Sequence, residues 1–266
     1  MDLQRIEFTR ANGLARITIA NEAANNALDH RFLREFALVA LEAAADKDVK
    51  AVLVEGRGKT FCVGGDLKDF LANRTRLYAH LLDMAAHFHM ALTQLRNGPA
   101  PLIIAVNGMA AGGGFSLVLN ADMAIAKRSA KLVAAYTRTG LSPDGGGTWF
   151  LPRLVGLQKA FDIFATNPTL SADQALQLGL LSRVVDDDVF DVEVEKLVQA
   201  IVESPPGALS ALKKLLRASA SASFEQQLVA EGESIAECAS RPSTIAMLDR
   251  FVAERSGKRP AAGRPG

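Results

Sequence analysis

Apolar and polar residues alternate over two short stretches near the start of the chain. The alternation covers residues 3–10 and 13–20, and the pair Asn12-Gly13 separates the two stretches. Alternation with a period of two predicts β-strands, and Asn-Gly between two such stretches is typical of a tight hairpin turn. The pattern therefore predicts a β-hairpin over residues 3–20.

Beyond the hairpin, apolar runs alternate with stretches that carry apolar residues at helical spacing. Residues 30–46 and 75–97 show the helical spacing; Asp29 is placed to cap the first helix, and Gly98-Pro99 to end the second. The apolar runs that predict buried strands are residues 51–54, 102–106, 123–126 and 131–134. Short apolar strands that alternate with helices indicate an α/β fold whose sheets are covered on both faces.

The pattern becomes purely helical after about residue 186. Two breaks, at residues 203–207 and at Arg241-Pro242, divide this part into three or four helices. It holds too few aromatic residues for a core of its own, so we expect it to pack on the preceding core or on a neighbouring subunit. The predicted organisation is a core over residues 1–186, a helical oligomerisation segment over residues 187–255 and a disordered tail over residues 256–266, which are rich in Gly, Pro and Ala.

Composition narrows the classes of function. The 266 residues are 49% hydrophobic and 22% charged, with a formal net charge of +1. This balance gives no reason to expect a nucleic acid or a membrane as partner. Cys62 and Cys238 lie in different patterns, and we expect both to be free thiols. The sequence shows no leader peptide and no apolar run of membrane-spanning length, so the expected location is the cytoplasm.

Two glycine-rich segments carry the candidate chemistry. Residues 61–68 read Phe-Cys-Val-Gly-Gly-Asp-Leu-Lys, and residues 108–116 read Gly-Met-Ala-Ala-Gly-Gly-Gly-Phe-Ser. Each segment follows a predicted strand and leads into a predicted helix. Glycine lets the backbone approach a ligand with unshielded N–H groups, and the second segment adds the positive end of a helix. Two such turns can hold one developing oxyanion between them, which suits an acyl group whose carbonyl becomes an enolate.

Two other interpretations of the glycine and serine motifs fail on spacing. A phosphate-binding loop that ends at Gly58-Lys59-Thr60 would need glycine at position 53, where the chain has Leu53. A nucleophile elbow around Ser116 would need glycine at position 118, where the chain has Val118. The sequence therefore argues against a nucleotide-binding loop and against a serine hydrolase.

Three histidines, His80, His87 and His89, lie on the helix predicted over residues 75–97. His87 and His89 point to different faces of that helix, and no carboxylate spacing completes a set of ligands. The sequence therefore predicts no metal site, and we expect these side chains to lie at the surface or to line a pocket.

A third segment offers a candidate acid or base. Asp144 follows a proline and precedes three glycines, and the apolar run over residues 149–151 comes next. Apolar neighbours desolvate a carboxylate, and desolvation makes the carboxylate a stronger base. Asp144 is therefore a candidate general base. Aspartate before a helix is also a frequent N-cap, and a helix is expected to begin near Gly145. The pattern leaves both interpretations open, since a capping side chain can also face a pocket.

Taken together, these segments resemble the crotonase superfamily, which contains enoyl-CoA hydratases and isomerases. The resemblance covers nearly the whole chain and rests on motifs in family-like order, at residues 25–29, 59–68, 112–114 and 140–146. It implies an α/β core of repeated ββα units wound into a spiral, followed by a C-terminal helical segment. It also implies acyl-CoA substrates and a homotrimer or hexamer. It implies no metal and no redox cofactor, and coenzyme A is present only as part of the substrate.

The resemblance also implies roles for individual residues. The main-chain amides of Gly65 and Gly113 would form an oxyanion hole, and Asp144 would be the catalytic acid or base. The residues expected to contact the substrate or its coenzyme A are Ala24, Asn26, Phe61, Gly64, Gly65, Asp66, Leu67, Lys68, Gly112, Gly113, Ser116 and Tyr136. Lys59 or Lys68 either meets the coenzyme A phosphates or is simply solvated. Four further residues either shape the acyl pocket or belong to the core: Phe70, Leu71, His87 and Trp149.

Departures from the family pattern bear on the reaction. The hydratases of the family use two glutamates, and the matching positions hold Ser116 and Tyr136. Asp144 matches the acting carboxylate of several isomerase branches, including Δ3,Δ2-enoyl-CoA isomerases and the phenylacetate-pathway ring-epoxide isomerases. One carboxylate suffices for isomerisation, because it can remove a proton at one carbon and return it at another. The resemblance therefore implies an acyl-CoA isomerase with Asp144 as base; the alternatives are an enoyl-CoA hydratase and a catalytically silent CoA-binding protein.

Overall fold

The computed structural model describes residues 1–255, and the predicted tail over residues 256–266 lies outside the described residues. In chain order the strands are β1 (Ile6–Ala11), β2 (Leu14–Ile19), β3 (Ala51–Gly56), β4 (Leu102–Val106), β5 (Met109–Ala111), β6 (Met123–Lys127), β7 (Lys131–Val133), β8 (Leu170–Ser171) and β9 (Arg183–Val185). The α-helices are α1 (His30–Ala45), α2 (Leu67–Ala72), α3 (Leu77–Asn97), α4 (Gly113–Leu119), α5 (Gly147–Val155), α6 (Leu157–Thr166), α7 (Ala172–Gln177), α8 (Phe190–Val202), α9 (Ala208–Ala218), α10 (Phe224–Ala239) and α11 (Pro242–Arg255).

Most of the predicted elements are present near their predicted bounds. The hairpin of β1 and β2 turns at Asn12 and Gly13, both of which have positive φ. Helix α1 begins after Asp29, whose carboxylate accepts a hydrogen bond from Phe32 N at 2.7 Å, so the predicted cap is confirmed. The short strands β8 and β9 lie in a part of the chain for which the sequence pattern predicts no strand.

The chain winds between two sheets. The larger sheet has the order β1-β2-β3-β4-β6-β9, in which β1 and β2 are antiparallel and the other neighbours are parallel. The smaller sheet has the order β5-β7-β8. The chain passes from β4 in the larger sheet to β5 in the smaller one and then to α4, and it repeats this step through β6, β7 and α5. Repetition of the ββα unit produces the spiral, and the predicted fold class is confirmed.

The inner strands of the larger sheet are buried on both faces, as parallel strands usually are. On β3, Val52 and Val54 belong to the main core with α1 and α3, whereas Ala51 and Leu53 face the opposite way. Helix α8 covers this second face with the side chains of Phe190, Val194, Leu197 and Val198. A strand buried on both sides must be apolar at successive positions, which explains the continuous apolar runs of β3 and β4.

The chain divides into two compact units. The first is Met1–Val202, so it includes α8, which the sequence pattern places with the C-terminal helices. The second unit starts at Glu203, and its described part contains α9, α10 and α11. Within it, the Gln227 side chain on α10 donates to the Leu215 carbonyl on α9 at 3.2 Å.

The helices of the second unit expose many apolar side chains. The large ones are Leu212, Leu216, Phe224, Leu228, Val229, Ile235, Ile245, Met247, Leu248, Phe251 and Val252. Apolar surface of this kind is typical of an interface, and its part in a trimer or hexamer stays a prediction. Over residues 1–255, no helix is both long enough and apolar enough to cross a membrane.

A buried carboxylate ties the segment before β1 to α1. Glu35, on α1, is 5% exposed and accepts hydrogen bonds from Gln4 N at 3.0 Å and from Arg5 N at 2.8 Å. Arg31, one turn earlier, donates to the same carboxylate at 3.2 Å. Glu35 is therefore the acceptor for two backbone donors at the edge of the larger sheet.

Replacement of Glu35 by alanine is expected to lower the free energy of unfolding by about 1–3 kcal/mol, because two backbone N–H groups lose their acceptor. Glu42→Ala on the same helix is the matched control. Glu42 has a 48% exposed side chain 3.5 Å from Arg10, and the loss of such a surface pair costs less than about 1 kcal/mol. Urea denaturation of both variants measures the two effects, and equal losses would contradict the structural role of Glu35.

Candidate active site

The first glycine turn lies beside Leu28. Residues 62–65 run between Leu28 and β5, and Gly65 forms a parallel bridge with Leu28. In this bridge Leu28 N donates to the Gly64 carbonyl at 2.8 Å, and Asp66 N donates to the Leu28 carbonyl at 3.1 Å. In a parallel bridge of this pattern the N–H of the middle residue points away from its partner. The Gly65 amide therefore faces away from Leu28.

The second glycine turn begins helix α4. Gly113 is the first residue of that helix, so its N–H has no acceptor within the helix. The two turns touch through their backbones: a Cβ atom on Gly64 would lie 2.8 Å from the Ala111 carbonyl oxygen and 3.1 Å from Gly113 N. Gly64 also has a φ of +85°, so both space and conformation require glycine here.

Gly65 and Gly113 both line a cavity of about 360 Å³. Long aliphatic and aromatic side chains form most of its wall, among them Leu67, Phe70, Leu81, Met84, Phe88 and Leu141. The polar side chains in the wall are Tyr136, Thr139, Ser142 and Asp144. An apolar cavity with a few convergent polar groups has the form of a small-molecule site.

The predicted site residues divide into two groups. Those that line the cavity are Gly65, Leu67, Gly112, Gly113, Tyr136 and Asp144, and Phe70 joins them from the residues assigned either to the acyl pocket or to the core. Those outside its wall are Ala24, Asn26, Phe61, Gly64, Asp66, Lys68 and Ser116, together with Leu71, His87 and Trp149. Contact of coenzyme A with the partly exposed or exposed residues Ala24, Asp66 and Lys68 stays a prediction.

Three side chains of the second group are fully buried and used inside the protein. The Asn26 amide donates to the Arg57 and Thr60 carbonyls at 2.9 and 2.8 Å. Phe61 belongs to the main core, and Ser116 lies behind Tyr136. These side chains do not line the cavity. Asn26 and Ser116 form hydrogen bonds inside the protein, and Phe61 packs in the main core.

The N-cap interpretation of Asp144 is wrong. Helix α5 begins at Gly147 with Gly146 as its N-cap residue, and no side chain caps it. The Asp144 carboxylate turns instead to Tyr136, whose hydroxyl donates to Oδ1 at 2.8 Å. The other oxygen, Oδ2, lies 3.9 Å from His89 Nε2.

The apolar run over residues 149–151 does not enclose Asp144 as expected. Its side chain is 38% exposed. Trp149 and Phe150, which follow it in sequence, line a second cavity of about 330 Å³, where Arg96 lies 4.7 Å from the centre of each ring. Asp144 is therefore a partly solvated carboxylate in the cavity wall, held by a phenol.

The two positions that match the hydratase glutamates are in contact with each other. Ser116 Oγ lies 2.8 Å from the hydroxyl oxygen of Tyr136, and both residues are buried. Burial raises the pKa of the Tyr136 phenol, and the nearby charge of Asp144 raises that pKa further. The phenol is therefore neutral and donates its proton to the hydrogen bond with Asp144.

Two further residues hold the loop of Asp144: His89, which the sequence analysis expects at the surface or in a pocket wall, and Asn120, which the sequence pattern did not single out. His89 Nε2 accepts the Gly145 N–H at 3.1 Å, so in this arrangement the ring proton is on Nδ1. Asn120 is buried and donates to the carbonyls of Ser116 and Gly145, both at 2.8 Å. The available signal for Asn120 was its position one turn after Ser116, on the same side of α4.

Other reactive side chains outside the cavity wall are buried or hydrogen-bonded within the protein. The Cys62 thiol is fully buried, and burial raises its pKa to about 12, so it is uncharged at neutral pH. His80 pairs with Asp69 at 2.7 Å, and His87 Nδ1 donates to the Asp83 carbonyl at 2.9 Å. Both cysteines of the chain are free. In the described part of the chain, no three His, Cys, Asp or Glu side chains are placed to hold a metal ion.

Comparison with known proteins assigns this architecture to a family. The sequence matches the family model of enoyl-CoA hydratase/isomerase over residues 9–258. The chain belongs to the enoyl-CoA hydratase/isomerase family. The resemblance to the crotonase superfamily is thereby confirmed.

Relatives within the enoyl-CoA hydratase/isomerase family carry both kinds of name. A protein of Rhodobacter capsulatus named probable enoyl-CoA hydratase is 34% identical over 231 residues, 87% of this chain and 88% of the relative. The 1,2-epoxyphenylacetyl-CoA isomerase of Escherichia coli is 31% identical over 217 residues, 81% of this chain and 83% of the relative. A crystal structure of enoyl-CoA hydratase from Mycobacterium smegmatis superposes with a TM-score of 0.86 at 31% identity, over 97% of this chain and 98% of that one.

In this member of the enoyl-CoA hydratase/isomerase family, Asn120→Ala is expected to lower the free energy of unfolding by about 2–4 kcal/mol. Two buried carbonyls, of Ser116 and Gly145, lose their donor at once. Asn97→Ala, at the exposed end of α3, is the matched control and should change stability by less than about 0.5 kcal/mol. Urea denaturation gives both values. A loss at position 120 no larger than at position 97 would contradict the role of Asn120.

Proposed function

We propose that this protein is an acyl-CoA isomerase, which shifts a double bond of an unsaturated acyl-CoA or rearranges a ring-epoxide acyl-CoA through an enolate. The observation that carries the proposal is that Asp144 is the single carboxylate among the described residues in the cavity wall. The positions that match the hydratase glutamates hold the hydroxyls of Ser116 and Tyr136. One carboxylate is enough for a reaction that removes a proton and returns it.

In the proposed reaction on a 3-enoyl-CoA, Asp144 removes a proton from C2 of the acyl group. The electron pair moves into the thioester, whose carbonyl oxygen becomes a dienolate oxygen. The amides of Gly65 and Gly113 donate hydrogen bonds to that oxygen, and one preorganised donor of this kind is typically worth about 3–4 kcal/mol. Asp144 then returns the proton to C4. The atoms and charges balance with no metal or redox cofactor, and coenzyme A takes part only as a portion of the substrate.

In the proposed complex, the coenzyme A portion would lie along the turn that leads into α2. Leu67 lines the cavity, and Lys68 lies next to it at the surface. Asp66 holds this turn by accepting a hydrogen bond from Lys68 N at 2.8 Å. The pantetheine chain would follow residues 64–68. Ala24 would contact coenzyme A, and either Lys59 or Lys68 would contact its phosphates.

An enoyl-CoA hydratase is the second candidate, and the hydratase names of relatives favour it. Addition of water needs one group to activate the water and another to protonate the acyl carbon. Asp144 would have to serve both steps, since burial raises the pKa of its neighbour Tyr136 and makes that phenol a poor acid. Crotonyl-CoA loses its conjugated absorbance when water is added, whereas a 3-enoyl-CoA gains absorbance on isomerisation, so the two substrates separate the candidates. Binding of both without conversion would indicate a catalytically silent CoA-binding protein.

Asp144→Asn is expected to lower the isomerisation rate of a 3-enoyl-CoA at least about 100-fold, because the amide cannot accept the proton. The rate is measured by the absorbance of the conjugated product and by its mass-spectrometric identity. Asp188→Asn, at an exposed position outside the cavity wall, is the matched control and should keep the wild-type rate. Turnover of Asp144→Asn within about tenfold of wild type would reject Asp144 as the base.

Gly64→Ala is expected to weaken binding of acetoacetyl-CoA, an enolate mimic, at least about tenfold. The added Cβ would press on the Ala111 carbonyl and on Gly113 N and move the two amide donors apart. Gly179→Ala is the matched control, since Gly179 also has positive φ but has nothing within 4 Å of an added Cβ. Both variants place alanine at a positive φ, and calorimetric titration compares their affinities. Equal affinity of the two variants would reject the proposed role of the glycine turns.

A further inference from the structure

Two buried hydroxyls connect α4 to the carboxylate of Asp144. Ser116 is fully buried on α4, and its Oγ lies 2.8 Å from the hydroxyl oxygen of Tyr136. That oxygen lies 2.8 Å from Asp144 Oδ1. Both distances are those of full hydrogen bonds between oxygens. Ser116, Tyr136 and Asp144 therefore form a continuous hydrogen-bonded chain.

Only one arrangement of protons satisfies this chain when Asp144 is ionised. A carboxylate can only accept, so the Tyr136 hydroxyl donates to Oδ1. Tyrosine has a single hydroxyl proton, so its oxygen must accept from the Ser116 hydroxyl. Burial raises the pKa of the Tyr136 phenol and keeps its proton in place. The chain of donors therefore runs in one direction, from Ser116 through Tyr136 to Asp144.

The second oxygen of Asp144 receives no proton from its nearest titratable neighbour. His89 Nε2 lies 3.9 Å from Oδ2, and its lone pair accepts the Gly145 N–H at 3.1 Å. A nitrogen that accepts a hydrogen bond carries no proton to offer to Oδ2. Tyr136 and His89 are the titratable side chains found within hydrogen-bond or ion-pair distance of the Asp144 carboxylate. Oδ1 therefore accepts a hydrogen bond from Tyr136, whereas Oδ2 accepts none from His89.

Small residues on the Asp144 loop make this chain possible. A Cβ on Gly145 would lie 3.0 Å from Ser116 Cβ, and one on Gly147 would lie 2.7 Å from Ser116 Oγ. The loop that carries Asp144 thus packs directly on Ser116. Asn120 holds the loop there, because it donates to the carbonyls of both Ser116 and Gly145. The position of Asp144 relative to α4 is set by these contacts.

We propose that Ser116 and Tyr136 are positioning residues, which hold Asp144 by Oδ1 and so make Oδ2 the oxygen that carries the proton. The proposal rests on the proposed isomerase function, in which one carboxylate removes and returns a proton. When Oδ2 takes the proton from the acyl group, Oδ1 becomes the carbonyl oxygen of the acid and still accepts from Tyr136. Oδ1 therefore keeps its hydrogen bond with Tyr136 whether Asp144 is ionised or protonated. Ser116 acts only through Tyr136.

A double-mutant cycle tests whether the two hydroxyls act as one unit. Tyr136→Phe is expected to lower kcat for a 3-enoyl-CoA about 10- to 100-fold, the range for loss of a hydrogen bond to a charged group. The acid limb of its pH profile moves to higher pH, because the ionised carboxylate has lost a donor. Ser116→Ala lowers kcat about fivefold alone but less than about twofold when added to Tyr136→Phe. KM changes less than kcat in each variant.

Tyr78→Phe is the matched control, since Tyr78 is 84% exposed and is the other tyrosine of the chain. It should leave kcat and the pH profile unchanged. The proposal is overturned if Ser116→Ala has the same effect in both backgrounds, or if the acid limb of Tyr136→Phe stays in place. Should Ser116→Ala fail to fold, the pH profile of Tyr136→Phe decides alone. No isomerisation by the wild-type protein would reject the isomerase function itself, and full activity of Asp144→Asn would reject Asp144 as the base. An active wild type and an inactive Asp144→Asn, with independent hydroxyls, would reject only the positioning role.

Discussion

Direct contact between the backbones of neighbouring turns is the constraint on which this structure depends. A Cβ on Gly114 would lie 2.2 Å from the Cys62 carbonyl oxygen, and one on Gly108 would lie 2.1 Å from the Lys59 carbonyl oxygen. No side chain fits into such a contact, so the turn after β3 and the start of α4 meet only because glycine stands at these places. The amides of the two turns are thereby placed by main chain alone. A donor fixed in this way needs no side-chain reorganisation when charge develops in front of it.

The elements that follow from local chemistry were predictable from the sequence. The Asn12-Gly13 turn, the Asp29 cap and the apolar runs of β3 and β4 each depend on residues a few positions apart. The glycine turns were also recognisable, because each lies between a predicted strand and a predicted helix, and the resemblance to the crotonase superfamily singled out Gly65 and Gly113 within them. These features account for the fold class and for the placement of Gly65 and Gly113 in one cavity.

The surroundings of Asp144 were not predictable in the same way, because distant parts of the chain supply them. The local rule allowed Asp144 to be an N-cap as well as a base, but Gly145 and Gly146 both have positive φ, and the helix begins only at Gly147. The carboxylate then meets a phenol eight residues earlier in sequence. His89 reaches the same loop from 56 positions away, and no spacing rule connects such residues. Helix α8 is a similar case, since only the uncovered face of the larger sheet distinguishes it from the helices that follow.

The contact between Ser116 and Tyr136 restricts the replacement of these two residues by the two glutamates of a hydratase site. A glutamate at position 136 would bring a second acid beside Asp144, and two adjacent carboxylates resist ionising together. A glutamate at position 116 would need space that the backbone at Gly145 and Gly147 already occupies. Either exchange alone therefore conflicts with groups already in place. The arrangement with two glutamates would need the loop of Asp144 to lie further from α4 than it does here.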